Sequence, residues 1–489
     1  MQSNQVMVKQ APKQVSSGLR QEKILAPKRK SESTDARHRD GVTRRSDEVH
    51  ESGQSKGVTL SGFTERSTEE DEPLSETKPF DISKEIVEEA YERVKASKGA
   101  AGVDGQTIED FEKNLEKNLY KIWNRMSSGT YFPPAVRGVE IPKDHGKGVR
   151  LLGVPTVADR VAQTVVKMYL EPLVEPKFHP DSYGYRPGKS QHQALTEARK
   201  RCWKYDWVLD LDISKFFDNL DHELVMDAVK KHTNCKWMLL YIERWLKAPM
   251  QMKDGTLVAR DRGSPQGSTI SPLLSNIFMH HIFDEWMQTE FASIPFERYA
   301  DDVLAHCVSE NQAKYVRDAI TKGLALHKLE LHPEKTRIVY CKDGNRKGSS
   351  EHERFDFLGF TFRPRKSKDK SGQYFVNFSP ATSDNAAKKI RETIRKWRLH
   401  LRSDKSLNDL AHQSNDEVRG WINYYGYFYK SALIPSLKQL NEYLVRWAMR
   451  KYKKLKQHPT RARSWLALIA QREPNLFAHW KFGLLPMAG

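Results

Sequence analysis

The sequence predicts an α+β domain built on an antiparallel sheet, followed by an all-helical region. Three observations carry this. Between about residues 130 and 365, short runs with strand-like alternation are interleaved with stretches of helical period. Two of those runs carry paired aspartates, one on a strand face and one at an expected hairpin. Beyond about residue 380 only helical periodicity remains.

Residues 1–79 are rich in Ser, Lys, Arg, Glu, Gln and Gly, show no period, and read as a disordered basic and polar extension. Order is expected from Phe80-Asp81-Ile82-Ser83, where Asp81 or Ser83 can cap the helix EIVEEAYERVKAS. GAAGVDG (99–105) ends that helix. A second helix, TIEDFEKNLEKNLYKIWNRM, carries Ile108, Phe111, Leu115, Leu119 and Ile122 near helical spacing.

Trp207 to Ile213 alternates as a strand does, with Trp207, Leu209, Leu211 and Ile213 on one face and Asp210 and Asp212 on the other. Two carboxylates on one strand face repel each other, so a cation is expected beside them. In Arg298-Tyr299-Ala300-Asp301-Asp302-Val303-Leu304-Ala305, apolar stretches flank two aspartates, which reads as a hairpin with Asp-Asp at its tip. Hairpin tips favour Asn-Gly or Asp-Gly, so the acidic pair breaks a local rule. Taken alone, Tyr299-Ala300-Asp301-Asp302 is also compatible with an ordinary turn. Brought together, the carboxylates could hold two Mg²⁺ ions about 4 Å apart, one activating a 3′-hydroxyl and one holding a triphosphate. Between the two elements lies RGSPQGSTISPLL, with Gly and Pro for a tight turn and Pro272 near the start of a helix.

Past residue 380, Ile390, Ile394, Trp397 and Leu401 line one helix face, with Lys388, Lys389, Arg391, Arg395, Lys396, Arg398 and Arg402 around it. Leu440, Tyr443, Leu444 and Trp447 repeat the pattern. They run into a basic stretch with Arg446, Arg450, Lys451, Lys453, Lys454 and Lys456. The formal net charge of the 489 residues is +18, which points to a polyanionic partner. Mean hydropathy is −0.71 and no apolar run is long enough to span a bilayer. The four cysteines are scattered, which fits a reducing compartment and not a disulfide framework.

LDLDISKFFDNLDH, RGSPQGSTISPLLSNIFM and RYADD, in that order and spacing, resemble the palm motifs of reverse transcriptases, and within them those of group II intron maturases. KGAAGVDG, IPKDHGKGVRLLGVPTVADRVAQ and SYGYRPGKSQHQAL extend the resemblance upstream, and LHPEKTRIV, FDFLGF and GWINYYGYF downstream, over about four-fifths of the chain.

The resemblance implies a right-hand polymerase fold: fingers and palm over 80–365, a helical thumb (maturase) domain over 366–460, and a short tail over 461–489 that is a DNA-binding remnant. It implies metal-binding at Asp212, Asp301, Asp302 and the Ile213 carbonyl, with Mg²⁺ as the metal and Mn²⁺ as a substitute. Phe217 resembles the side chain that blocks a ribose 2′-hydroxyl; a core phenylalanine is the alternative, and Phe216 is the other candidate. Gln266 resembles a base-pair contact, Lys143 and Arg150 the triphosphate grip, and Lys335 a lysine that protonates pyrophosphate, a surface lysine being its plain alternative. FDFLGF resembles a primer grip, though its phenylalanines equally suit core packing. Trp421, Tyr424, Tyr425, Phe428 and Tyr429 form a stripe expected to be mostly core.

Implied nucleic-acid contacts are Arg186, Lys388, Lys389, Arg395, Arg450, Lys451 and Lys454. Implied partners are intron RNA, target DNA, an RNA–DNA duplex and dNTPs, with no membrane. The setting would be a bacterial cytoplasmic, nucleoid-associated ribonucleoprotein, either monomer or homodimer. The expected function is RNA-directed DNA synthesis and splicing assistance for a group II intron. Alternatives are a reverse transcriptase recruited to host defence and a splicing maturase without polymerase activity. The tail lacks the paired cysteines of a zinc-bound nuclease, so no second-strand DNA cleavage is expected.

Overall fold

The computed structural model describes residues 79–142 and 148–487. The expected extension over 1–79 (all but its last residue) and Lys143 lie outside the described residues. Eleven strands occur in chain order: β1 (Val136–Pro142), β2 (Val149–Val154), β3 (Trp207–Leu211), β4 (Met250–Gln251), β5 (Leu257–Val258), β6 (Phe296–Tyr299), β7 (Asp302–Cys307), β8 (Arg337–Tyr340), β9 (Phe355–Phe357), β10 (Phe360–Lys368) and β11 (Tyr374–Thr382). They form three sheets, in the orders β2-β1-β4-β5, β6-β7-β3-β8 and β11-β10-β9. The second, central sheet is antiparallel throughout. In the first sheet, β1 and β4 run parallel.

One large core joins the N-terminal helices to one face of the central sheet, with Leu209, Leu211, Val303 and Ala305 contributing from the strands. The other face carries Val208, Leu304 and Val339 into a second core with Phe355, Phe357, Phe360 and Phe362. A third core lies within the C-terminal helices around Leu440, Leu444, Trp447 and Leu466. No described helix is long and apolar enough to cross a membrane.

Ser83 is the residue that caps the first helix, accepting from Ile86 N at 3.2 Å. The single helix expected over TIEDFEKNLEKNLYKIWNRM is two, Ile108–Glu112 and Leu115–Ser127. The Asn118 amide donates to Phe111 O at 2.9 Å, satisfying a carbonyl that the break releases.

The boundary expected at residue 365 falls inside β10. The polar run after it forms the β10–β11 hairpin, and the helical region starts at the helix Asp384–Lys396. Nor is 461–489 a separate tail. The helix Pro459–Arg472 buries Ala462, Leu466 and Ala470 in the helical core. Asn415 and Asn441 pin the following segment by bonds to the Leu476 and Leu484 carbonyls at 2.8 and 2.9 Å. His479 is fully buried, with Nε2 2.8 Å from Asn441 Oδ1.

The aromatic stripe divides between two cores. Trp421 stacks on Trp397 in the helical core. Tyr424, Tyr425 and Phe428 surround Phe360, and the Tyr424 hydroxyl donates to Leu358 O at 2.8 Å. This stripe fastens the helical region to the sheet that follows the palm.

Candidate active site

β6 and β7 pair from Phe296↔Ala305 to Tyr299↔Asp302. The turn is therefore Ala300-Asp301, and Asp302 is the first residue of β7 rather than part of the tip. Ala300 adopts φ 59°, a left-handed conformation usually left to glycine in this kind of turn.

What holds it there is a buried ion pair that also bonds the turn. The Arg298 side chain is fully buried. Its Nε and Nη2 donate to both Asp284 oxygens at 2.7 and 2.6 Å, and Nη1 donates to Ala300 O and Asn276 Oδ1, each at 3.0 Å. Beside it, Glu297 accepts from Arg201 at 2.9 Å and lies 2.7 Å from His306 Nε2, and Arg201 also reaches Asp181 at 2.6 Å. Gly184 lets its loop pack on the turn: a Cβ there would lie 2.4 Å from Ala300 N.

β3 runs antiparallel to β7 with Leu211 opposite Val303. Continuing that register sets Asp212 beside Asp302. The ladder to Leu331 is made by residues flanking Ile213, through Ser214 N to Glu330 O and His332 N to Asp212 O, both 2.8 Å. The Ile213 carbonyl is left turned away from that pairing. The expected cation is Lys335, whose Nζ stands 3.0 and 3.2 Å from the two Asp212 oxygens.

The electrostatics are strained in one direction. Desolvation, then Asp301 and Asp212, push the Asp302 carboxyl up to about 7, although the residue is exposed at the open end of the strand. Asp301 is raised by burial and then by Asp212. Asp210 is pushed well above the carboxylate range by burial and by Asp302 and Asp212. The charges of Lys335 and Arg150 pull Asp301 and Asp302 back down. Hard carboxylate oxygens crowded to this degree are the donor set that suits a divalent cation such as Mg²⁺.

Phe216 is buried and Phe217 half-buried, their rings edge-to-face at 5.3 Å. The Phe217 carbonyl accepts from Ser264 N at 2.8 Å, and Gly263 (φ +82°) sits against Asp218 O, where a Cβ would approach to 2.9 Å. The RGSPQG turn thus lies directly on the Phe217 backbone. Its far end rests on β2: Gly153 N donates to Gln266 O at 3.0 Å, so Gln266 sits on the strand that carries Arg150.

Gln163 fixes this loop from below, accepting from Ser268 and Thr269 at 2.7 and 2.9 Å and donating to Asp159 at 2.9 Å. Burial raises Asp159 to about 6 against hydrogen bonds from Trp245, Tyr131 and Gln163. Neither Arg298–Asp284 nor Gln163–Asp159 was anticipated. The available signal was a charged Glu297-Arg298 pair inside an otherwise buried strand.

Arg186, an expected nucleic-acid contact, has its guanidinium engaged within the protein. It donates to Glu175 Oε1 at 2.9 Å and to the His179 and Ser182 carbonyls at 2.7 Å each, over the Phe178 ring. Its guanidinium is spent on the loop that backs the hairpin. On the helical region, Lys388, Lys389, Arg395, Arg450 and Lys454 are exposed. Lys451 is half-buried and ties down the Ser403 and Lys405 carbonyls at 2.9 and 2.8 Å. Arg398, Arg446 and Arg450 are close enough that their charges add to burial in lowering His400. The FDFLGF hairpin is present, with its three phenylalanines buried.

Residues 141–362 match the family described as reverse transcriptase (RNA-dependent DNA polymerase), and residues 387–465 match the maturase-specific domain of group II introns. The chain is similar to Protein YkfC of Escherichia coli (strain K12), with 30% identity over 326 residues, 58% of this chain and 82% of that protein. It is similar to Group II intron-encoded protein LtrA of Lactococcus lactis subsp. cremoris, with 33% identity over 195 residues, 40% of this chain and 32% of LtrA. Nuclear intron maturase 1, mitochondrial, of Arabidopsis thaliana shares 34% identity over 93 residues, 19% of this chain and 13% of that protein. The shared stretch therefore spans about a third of LtrA's length.

Proposed function

The chain belongs to the group II intron reverse transcriptase/maturase family, and from that premise we propose that it is an RNA-directed DNA polymerase that binds a group II intron RNA, assists its splicing and copies it into DNA from a primer at the target site. The observation that carries this is the convergence of Asp212, just past the end of β3, with Asp301 in the turn and Asp302 at the start of β7, their mutual repulsion only partly offset by Lys335 and Arg150.

Asp212, Asp301, Asp302 and the Ile213 carbonyl would hold Mg²⁺, with Mn²⁺ as a substitute. When bound, the metal supplies charge neutralisation at the attacking and leaving oxygens. The chain's own groups do the rest. Arg150, with Lys143 seven residues before it in sequence, grips the triphosphate. Phe217, backed by Phe216 and fixed through its carbonyl to Ser264, walls off the sugar edge and selects dNTPs. Gln266, seated on β2, lies along the nascent base pair. Lys335 leaves Asp212 when substrate arrives and hands a proton to the pyrophosphate oxygen. The basic face of the helical region binds intron RNA and the primer–template duplex through phosphates.

Extension of a DNA primer on an RNA template by the full chain, with dNTPs and Mg²⁺, tests this reading. cDNA is the expected product. Tight binding of structured RNA without any cDNA would instead identify a splicing maturase that has lost polymerisation.

A further inference from the structure

The helix that follows the RGSPQG turn, packed in the core on the sheet face that carries Leu209, Leu211 and Val303, does not continue as an α-helix. Ser271–Met279 passes into a π-helical turn, His280–Asp284, before the helix Glu285–Glu290. The widened turn bonds Glu285 N to His280 O, one π-helical step apart. It thereby brings two consecutive histidines to one carboxylate, which α-helical spacing would not do for i and i+5. His281 Nδ1 lies 2.6 Å from Glu285 Oε2, and His280 Nε2 lies 3.6 Å from Glu285 Oε1. One ring nitrogen from each histidine and one Glu285 oxygen all fall within 4.8 Å of one another.

A second observation points the same way. His280 is only 4% exposed, and its Nδ1 has no hydrogen-bond partner among the described residues, the Asp284 carboxylate standing 4.0 Å away. Its Nε2 faces Glu285 across a gap too long for a hydrogen bond. Metal–nitrogen and metal–oxygen bonds of about 2.0–2.2 Å place two ligand atoms roughly 3 to 4 Å apart, the separation of His280 Nε2 and Glu285 Oε1, while His281 would exchange its 2.6 Å hydrogen bond to Glu285 for the metal. His232 stands alongside, its Nε2 2.8 Å from His281 Nε2. Lys177, 3.3 Å from His232 Nδ1, and Lys231 are exposed, and the buried Arg298, whose charge also reaches His280, is paired with Asp284.

We infer that His280, His281 and Glu285 form a binding site for a borderline divalent metal of the zinc class, with water completing its coordination. Two imidazoles and a carboxylate select such an ion over Mg²⁺, which prefers oxygen donors alone. The site has a structural consequence. Asp284, inside the same π-helical turn, is the counter-ion of Arg298 and so of the catalytic hairpin. A metal here stiffens the turn from which that hairpin is held. The inference does not depend on the polymerase reading.

The test uses the full chain carrying Asp301→Asn and Asp302→Asn, which weakens metal binding at the aspartate site, stripped with chelator and titrated with Co²⁺ alone. Expected is saturation at one equivalent with the intense visible absorption of a four- or five-coordinate, nitrogen-ligated ion, displaced by Zn²⁺. Adding Glu285→Gln, whose amide oxygen still accepts from His281, should weaken binding tenfold or more while leaving the chelator-treated melting temperature unchanged. Independently, Zn²⁺ should raise the melting temperature of the parent and not of the Glu285→Gln protein. Equal Co²⁺ binding by both proteins, or no saturable nitrogen-type spectrum in the parent, overturns the site.

Discussion

Two layers of charge share the hairpin of β6 and β7, and they are built on opposite rules. The lower, paired layer is Arg298 with Asp284 on one face of the sheet and Glu297 with His306, Arg201 and Asp181 on the other, each carboxylate meeting a guanidinium or an imidazole. The upper layer, at the turn end of the strands, is Asp212, Asp301 and Asp302, which repel one another and are only partly offset by Lys335 and Arg150. A buried charge that is fully paired belongs to the scaffold. A cluster of like charges left short of cations is a site in want of one. The paired layer also bears the cost of the other, because Arg298 holds the Ala300 carbonyl in a turn that alanine does not favour.

Breaking the paired layer should have the largest effect on stability. Arg298→Met strands Asp284 without its partner and should cost about 3–5 kcal/mol, read by chemical denaturation. Changing Asp284→Leu as well should recover part of that loss, since Asn276 and Ala300 would still lack their donor. A loss below about 1 kcal/mol in the single variant would mean the layer is not what supports the hairpin.

Within the upper layer, Lys335→Ala should slow single-turnover nucleotide addition about 100-fold without changing the melting temperature, the size expected for removing a general acid. An unchanged rate would return Lys335 to the role of a surface lysine. Phe217→Ala comes next. It should reduce discrimination against rNTPs about tenfold or more in competition assays, and unaltered sugar selectivity would remove Phe217 from the gate.

The smallest effect is on pH. Asp302 has its folded value raised from 3.8 to about 7. Its contribution to stability is therefore complete below about 4 and is lost as pH rises through 7. Metal-free protein should melt at a lower temperature as pH climbs through that window. Asp302→Asn should flatten part of the slope, the remainder coming from Asp159 and Asp210, which shift the same way. Saturating Mg²⁺ should flatten it too. A slope identical in wild type and variant would show that Asp302 is not crowded.

Legibility in the sequence followed the same division. The upper layer was readable because its chemistry is local: Asp212 ends an alternating strand, and Asp301-Asp302 interrupts two apolar runs. The lower layer was not, because pairing is set by the fold. Nothing local marks Asp284 as the partner of Arg298, fourteen residues away, or tells Arg186 to turn inward to Glu175 and Phe178 instead of outward to phosphate. The π-helical turn was equally hidden, since IFMHHIFDEW reads as ordinary helix. So was the β10–β11 hairpin, whose charged residues Arg363 to Lys370 gave no apolar alternation to follow. The basic helical face was legible as composition. Lys451, by contrast, spends its charge on two backbone carbonyls.

The measurement that tests the central claim most directly is RNA-templated primer extension by wild type and by Asp301→Asn/Asp302→Asn, with melting temperature and RNA binding measured on the same preparations. The account predicts cDNA from wild type alone, with folding and RNA binding preserved in both. Comparable cDNA from the double variant would contradict it, because polymerisation would then not depend on the unpaired carboxylates of the hairpin.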